Sequence, residues 1–346
     1  MDKDPIESPK HPTNIMQYGE KSVAIIANAG SHISTYHVQS FADISAALEA
    51  HVSKIGTYHI ERKETQTLLD WIEQSQEPID PEDKEKRVAL LLGKAGSGKS
   101  VIMKDILLAL QNDVHYNVLA FKSDIFYDGG DSKDINEKAN LGCSVIEAVQ
   151  NAAKANKTIL IIDQIDALSA VLSSHRKPLS DMMSLINRAA KISNVRVLVS
   201  CRPYDFYYDH YFSDLRRCYQ LSVGELSETE IRQAFFQNGI PSDKHISTDL
   251  LKLLSNPLNL SLFCRVQHGL TVPSIKNLTD LYALLWNDML DKCHTNQAET
   301  VEFLWYFTSL LYEKQTLAIH RNLIPSQWHK QSLDMLSKGI IIENEK

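Results

Sequence analysis

Short continuous apolar runs alternate along this chain with stretches of helical periodicity. Five runs have the length of buried strands of a parallel sheet: Arg87–Leu92, Tyr116–Phe121, Thr158–Ile162, Val195–Cys201 and Arg217–Leu221. Between them, Ser100–Asn112, Leu141–Ala155 and Ser180–Ile192 carry apolar residues on one helical face, so the middle of the chain reads as repeated strand–helix units. Ahead of this core, Val23–Ile26 and His32–Tyr36 flank Asn28–Ser31 as a hairpin, Phe41–Ile55 reads as an amphipathic connecting helix, and a helix opens at Ile60–Glu64. Glu77–Arg87 is a charged linker and Tyr127–Asp131 a polar loop.

From Leu226 onward the pattern is helical. Ser227–Glu230 fits a capping box, Asn238-Gly239 a helix stop, and Ser255-Asn256-Pro257 a break with proline in the next first turn. Thr279-Asp280 is expected to cap a helix through Leu290, Val301–Tyr312 to form another, and Ser326–Leu336 to lead into a strand at Gly339–Ile342. The chain then stops where a partner strand would come, so a fragment of a longer protein is expected. The expected domains are 1–56 (hairpin and connecting helix), 57–225 (α/β core), 226–296 (helical) and 297–346 (winged-helix-like).

The chemistry concentrates after the first core strand. Gly93-Lys94-Ala95-Gly96-Ser97-Gly98-Lys99-Ser100 matches G-x-x-x-x-G-K-[ST] at every required position. Glycines let the backbone approach phosphate oxygens, so Gly93 and Ala95 through Val101 (Gly96, Ser97, Gly98, Lys99, Ser100) are the candidate phosphate cradle. Lys99 is the candidate for the β- and γ-phosphates, and the Ser100 hydroxyl for Mg²⁺. The strand ending at Asp163 places a second metal-site carboxylate opposite Ser100. Asp166 either polarises an attacking water or caps the turn that follows. Arg202 closes a neighbouring strand, where a guanidinium can fork onto the γ-phosphate. Arg62 either approaches the nucleotide or belongs to a solvated charge cluster. Arg188, Arg216 and Arg217 are candidates, by position only, for an arginine offered to a neighbouring subunit.

Charge and cysteine usage narrow the classes. A net charge of −7 argues against a basic nucleic-acid surface covering the molecule. The 5 cysteines show no C-x-x-C spacing, which points to buried thiols in a reducing cytoplasm and away from a disulfide framework or zinc site. No long apolar run suggests a membrane anchor.

Taken together, Gly93–Ser100, the strand ending Asp163-Gln164-Ile165-Asp166, the strand ending Ser200-Cys201-Arg202-Pro203, and Asn256-Pro257-Leu258 resemble the STAND-class P-loop ATPases, bacterial NACHT-like members above all. Ile60–Glu64 is similar to the element preceding the P-loop there, with Glu61 in place of the usual glycine, and Gln164 replaces a commoner glycine or acid. The resemblance implies an α/β fold, a P-loop NTPase with a five-stranded parallel sheet followed by a helical domain and a partial winged-helix domain. It also implies contact of Pro257 with the nucleotide, ATP/ADP and Mg²⁺ as cofactors, slow regulated hydrolysis, and self-oligomerisation from an ADP-bound closed state. Many bacterial relatives act in antiviral defence. The alternatives are a constitutive AAA-type ATPase acting on nucleic acid, a small-molecule kinase, and a nucleotide-binding scaffold without turnover.

Overall fold

The computed structural model describes residues 23–27, 33–37, 40–74, 84–123, 135–169, 177–241, 246–266, 275, 277–314, 319–337 and 341. Two antiparallel ribbons come first. β1 (Val23–Ala27) pairs with β2 (Ile33–His37), and after helix α1 (Phe41–Glu49) the two-residue strands β3 (Lys54–Ile55) and β4 (Tyr58–His59) form a tight hairpin. The expected helix over Phe41–Ile55 therefore ends early. Ser40 and Asp43 form a capping box at its start, but Gly56 takes φ +61° in the β3–β4 turn, a left-handed geometry that turns the chain back on itself.

The core then builds as the apolar runs predict: α2 (Lys63–Gln74), β5 (Val88–Leu92), α3 (Lys99–Gln111), β6 (Tyr116–Lys122), α4 (Ile135–Ala139), α5 (Val145–Ala155), β7 (Lys157–Asp163), α6 (Lys177–Ala189), β8 (Val195–Cys201), α7 (Pro203–Tyr208) and β9 (Tyr219–Ser222). The five core strands form one parallel sheet in the order β6-β7-β8-β5-β9. Alternation across β5 divides the interior. Val88, Leu90 and Leu92 join Leu160, Val197 and the apolar sides of α5 and α6 on one face. Ala89 and Leu91 join Ile159, Leu198 and the α3 residues Ile102, Met103 and Ile106 on the other. Helices thus cover both faces, as a parallel sheet requires. Helix α1 packs along the edge strand β6, where the Ser45 hydroxyl accepts the Ala120 N–H at 2.9 Å.

The helical part follows as α8 (Glu228–Gln237), α9 (Thr248–Leu254), α10 (Pro257–Val266), α11 (Leu278–Asp291), α12 (Gln297–Glu313) and α13 (His329–Ser337). Its core gathers Ile231, Phe235, Leu250, Leu260 and Phe263, together with Ile55 of β3 and Ile60 just after β4. The cap of α11 is Asn277 in a reciprocal box with Asp280; Thr279 already lies inside the helix. Helical segments therefore make up the described C-terminal region, and no strand is found among the described residues of 297–346. Of the expected strand Gly339–Ile342 only Ile341 is described, as a bend; the rest, like Asn28–Ser31, residues 77–83 of the charged linker and Tyr127–Asp131, lies outside the described residues.

Candidate functional site

The strand order sets the site. Because β8 lies between β5 and β7, the chain leaves β5 beside the end of β8, and the Gly93 N–H donates to the Cys201 carbonyl at 3.2 Å. Asp163, the P-loop and Arg202 consequently gather at the carboxyl ends of adjacent strands, where open α/β sheets hold ligands. A cavity of about 460 Å³ opens there, the size of a small-molecule site.

One wall is the P-loop. Ala95, Gly96, Ser97, Gly98, Lys99, Ser100 and Val101 all line the cavity. Gly96 and Gly98 take φ +73° and +93°, so the motif's glycines are used where the backbone demands them. Gly93 stands behind this wall: a Cβ there would meet the Ser97 hydroxyl at 2.4 Å, and its carbonyl receives Lys99 Nζ at 2.7 Å. The same ammonium reaches the Lys94 carbonyl at 3.2 Å. Burial pushes the Lys99 pKa below its ordinary value of 10.5, against the pull of Asp166 and Asp163, with Arg202 adding to the depression.

Asp163 does not line the cavity. Its carboxylate is fully buried; Oδ1 accepts the Ser200 hydroxyl at 2.5 Å, while Oδ2 is without a hydrogen-bond partner. Gln164 comes between it and the cavity. It adopts φ 56° and ψ 50°, its backbone N–H donates to Ser200 Oγ at 2.8 Å, and its side-chain Nε2 donates to Ser100 Oγ at 2.9 Å.

Asp166 and Arg202 form one unit. Arg202 Nε lies 2.8 Å from Asp166 Oδ2, and the Arg202 backbone N–H donates to Oδ1 at 3.2 Å. The Asp166 side chain is 3% exposed and that of Arg202 55%, so a buried carboxylate aims a guanidinium whose outer face remains open. Asp166 does not cap its own turn, since both oxygens serve Arg202.

The opposite wall comes from a segment with no recognisable chemistry in sequence and from the Asn256-Pro257-Leu258 motif at the start of α10. His51–Ile55 and Ile60 line the cavity, as do Leu226, Pro257, Leu258 and Ser261. Lys104 on α3 donates to the His51 carbonyl at 2.8 Å, and His59 bridges the Ser53 carbonyl and Asp105 of α3, each at 3.1 Å. These bonds tie the β3–β4 hairpin to the P-loop helix. From the helical side, Asn256 Nδ2 donates to the Ala95 carbonyl at 3.0 Å and the Leu258 N–H to the Gly96 carbonyl at 3.2 Å. The Asn256 side-chain oxygen meanwhile accepts the Leu258 N–H at 3.0 Å, capping α10. Pro257 lies over Gly98, 3.8 Å from where a Cβ would stand.

Arg62 also lines the cavity, so it is not part of a solvated cluster. Its Nη2 donates to the Gly224 carbonyl at 2.6 Å, Nε lies 3.4 Å from Glu64 Oε2, and the buried Nη1 has no hydrogen-bond partner. Glu64 in turn accepts the Gly224 N–H at 2.8 Å. Burial alone would raise the Glu64 pKa, but that N–H and the Arg62 guanidinium outweigh it and hold the value low.

Sequence reasoning missed His51–Ile55, Ile60, Gln164, Leu226, Leu258 and Ser261 as wall-forming residues, and Asn256 as the side chain that ties α10 to the P-loop. For Asn256 a signal existed, because asparagine directly before a first-turn proline reads as a helix cap. For Gln164 it was its place after the strand-end acid.

Whether Mg²⁺ suits this site can be judged from the oxygens. Ser100 lines the cavity, and Asp163 Oδ2 is a buried carboxylate oxygen lacking a partner. Among the described residues no group of three or more His, Cys, Asp or Glu side chains could cage a metal alone. That set fits Mg²⁺, which takes one or two protein oxygens and completes its shell with phosphates and water.

Comparison with known proteins agrees with this geometry. Residues 87–240 match the NACHT domain family, as expected of a STAND-class P-loop NTPase. Among solved structures, PCH-2 of C. elegans is 13% identical at a TM-score of 0.41, the match covering 65% of this chain and 67% of that one. Domain III of the replication initiation protein DnaA from Thermotoga maritima is likewise 13% identical at 0.41, over 68% of this chain and 96% of that one. Likenesses this distant say nothing about function. No curated protein matches the chain. Residues 87–240 are thus similar to a NACHT domain and lie in a P-loop NTPase fold, and no described helix is long and apolar enough to cross a membrane.

Proposed function

We propose that the chain is a cytoplasmic nucleotide-state switch that holds ADP in the closed form, exchanges it for ATP with Mg²⁺, and hydrolyses ATP slowly. The observation that carries this reading is a set of buried polar atoms without partners around one cavity: Arg62 Nη1, Ser97 Oγ and, behind Gln164, Asp163 Oδ2. Buried polar groups are rarely left so, and two unpartnered donors on residues that line one cavity suit a ligand rich in acceptor oxygens. In this reading Lys99 leaves the Gly93 carbonyl for the β- and γ-phosphates, Ser97 and the P-loop amides bind phosphate oxygens, and Pro257 packs against the nucleotide. Bound Mg²⁺ would neutralise charge developing on the phosphates, with Ser100 and Asp163 holding it. Arg202, aimed by Asp166, stabilises the γ-phosphate, while Asp166 is the nearest carboxylate to orient water.

Switching finds support in the fact that one ligand would touch both walls. A swing from 1:99 to 99:1 needs about 5.5 kcal/mol of differential binding. Contacts on the P-loop side and on α10 are where such a difference can arise. We place the switch in bacterial antiviral defence on the family resemblance, with oligomerisation as its output. A scaffold without turnover is the second reading, favoured by the Gln164–Ser100 bond.

Light scattering on the purified chain, with ATP turnover measured alongside, tests the proposal. A monomer with ADP and a larger species with a non-hydrolysable ATP analogue are expected; one constant mass in both would remove the switch. Turnover that stays at the level of a Lys99→Ala control would leave only the scaffold.

A further inference from the structure

Gln164 is the one described non-glycine residue in the cavity wall with a positive φ. A left-handed conformation is strained for an ordinary side chain and free of strain for glycine. Strain of this kind persists where surrounding contacts hold it. Here the contacts are specific. Ser200 Oγ accepts the Gln164 N–H at 2.8 Å while donating its own proton to Asp163 Oδ1 at 2.5 Å, which fixes the turn. The side chain then lands on the P-loop, with Nε2 2.9 Å from Ser100 Oγ.

We propose that Gln164 gates the cation position of this site. Its carboxamide N–H occupies a lone pair of the Ser100 hydroxyl, so a nucleotide can be held without metal, and a divalent cation binds weakly until the amide is displaced. This rests on the nucleotide-switch reading above. Two arguments support it. A serine hydroxyl has two acceptor lone pairs, and an N–H donor beside it brings partial positive charge and no ligand atom. The charged side chains that line the cavity are also mainly cationic: Lys54, Arg62, Lys99 and Arg202 stand against Asp166, whose two oxygens are both engaged by Arg202. Nothing in that balance favours a dication, whereas an acid in place of Gln164 would tip it by a full negative charge. Gln164 acts through Ser100 and is in this sense a positioning residue.

The test is a Mn²⁺ titration followed by electron paramagnetic resonance on the full chain saturated with ADP, after ADP affinity has been measured in EDTA. Gln164→Asn keeps a residue tolerant of the left-handed turn but is one methylene too short to reach Ser100. Gln164→Glu keeps the length and exchanges the donor for a carboxylate. The wild type and both variants are expected to bind ADP in EDTA. Mn²⁺ should bind roughly 3- to 10-fold more tightly to the Asn variant, the span of one competing hydrogen bond, and more tightly again to the Glu variant. Mn²⁺ affinity that is unchanged or weaker in the Asn variant overturns the gate and leaves the nucleotide reading intact. So does ADP binding by the wild type only when Mn²⁺ is present. ADP binding under neither condition overturns both.

Discussion

The P-loop wall of the cavity hangs from strands that are wholly buried, whereas the facing wall is assembled from a two-residue hairpin and the first turn of α10. The first wall is anchored by two apolar clusters on either side of the sheet; the second meets it through hydrogen bonds at Ala95, Gly96, His51 and His59. Rigidity on one side and a small number of separable contacts on the other is the arrangement a ligand-controlled closure needs. The difference teaches where to look for binding and where for regulation. Substitutions in the P-loop wall should abolish binding or chemistry, and substitutions in the facing wall should alter how long a nucleotide stays.

The largest effect on that contrast is expected from Asp166→Asn. Losing the carboxylate that aims Arg202 should lower ATP turnover by about 10²-fold or more while ADP affinity changes little, a split read from steady-state rates and binding on the same protein. Next comes Gly96→Val. A Cβ at that position would stand 2.6 Å from Leu258 Cβ and 2.8 Å from Asn256 Oδ1, at φ +73°, so the two walls cannot meet as they do. We expect a stability loss of about 1–3 kcal/mol from the strained backbone, seen in thermal unfolding, and failure to retain nucleotide through gel filtration. Asn256→Ala should be milder. It removes one bond to the P-loop and the α10 cap, and should speed release of a fluorescent ADP analogue by roughly 3- to 10-fold with little change in turnover.

The smallest effect is a proton. In the free protein Lys99 titrates below 10.5, so in the alkaline window between its lowered value and 10.5 it is partly neutral. Phosphate beside it favours the ammonium and raises the value again, so nucleotide binding in that window takes up a fraction of a proton. Calorimetry in buffers of different ionisation enthalpy measures this uptake, which should fall away as the pH drops below the lowered value.

The same contrast governs what could be read from the chain alone. The strand Val88–Leu92, the loop to Ser100, the acid at Asp163 and the arginine at Arg202 are local signals: an apolar run, a glycine pattern and a polar residue at a strand end, all fixed by neighbours in sequence. The facing wall has such a signature only at Asn256-Pro257, and none over its hairpin segment. His51–Ile55 lines the cavity because Lys104 and the His59–Asp105 pair hold it there, and those partners lie 53 and 46 residues away. A helical period over Phe41–Ile55 gave no sign of the turn at Gly56. Gln164 was legible as a departure from the family pattern the chain resembles, but its left-handed backbone depends on Ser200, a strand away. Arg62 could be read either way until its neighbours Gly224 and Glu64 were seen.

The central claim is that this cavity holds an adenine nucleotide, and the most direct test is extraction of nucleotide from freshly purified protein beside its Lys99→Ala variant. Bound ADP in the wild type, absent from the variant, is the predicted result. An empty wild-type site that neither ADP nor ATP fills on titration, with or without Mg²⁺, would contradict the account.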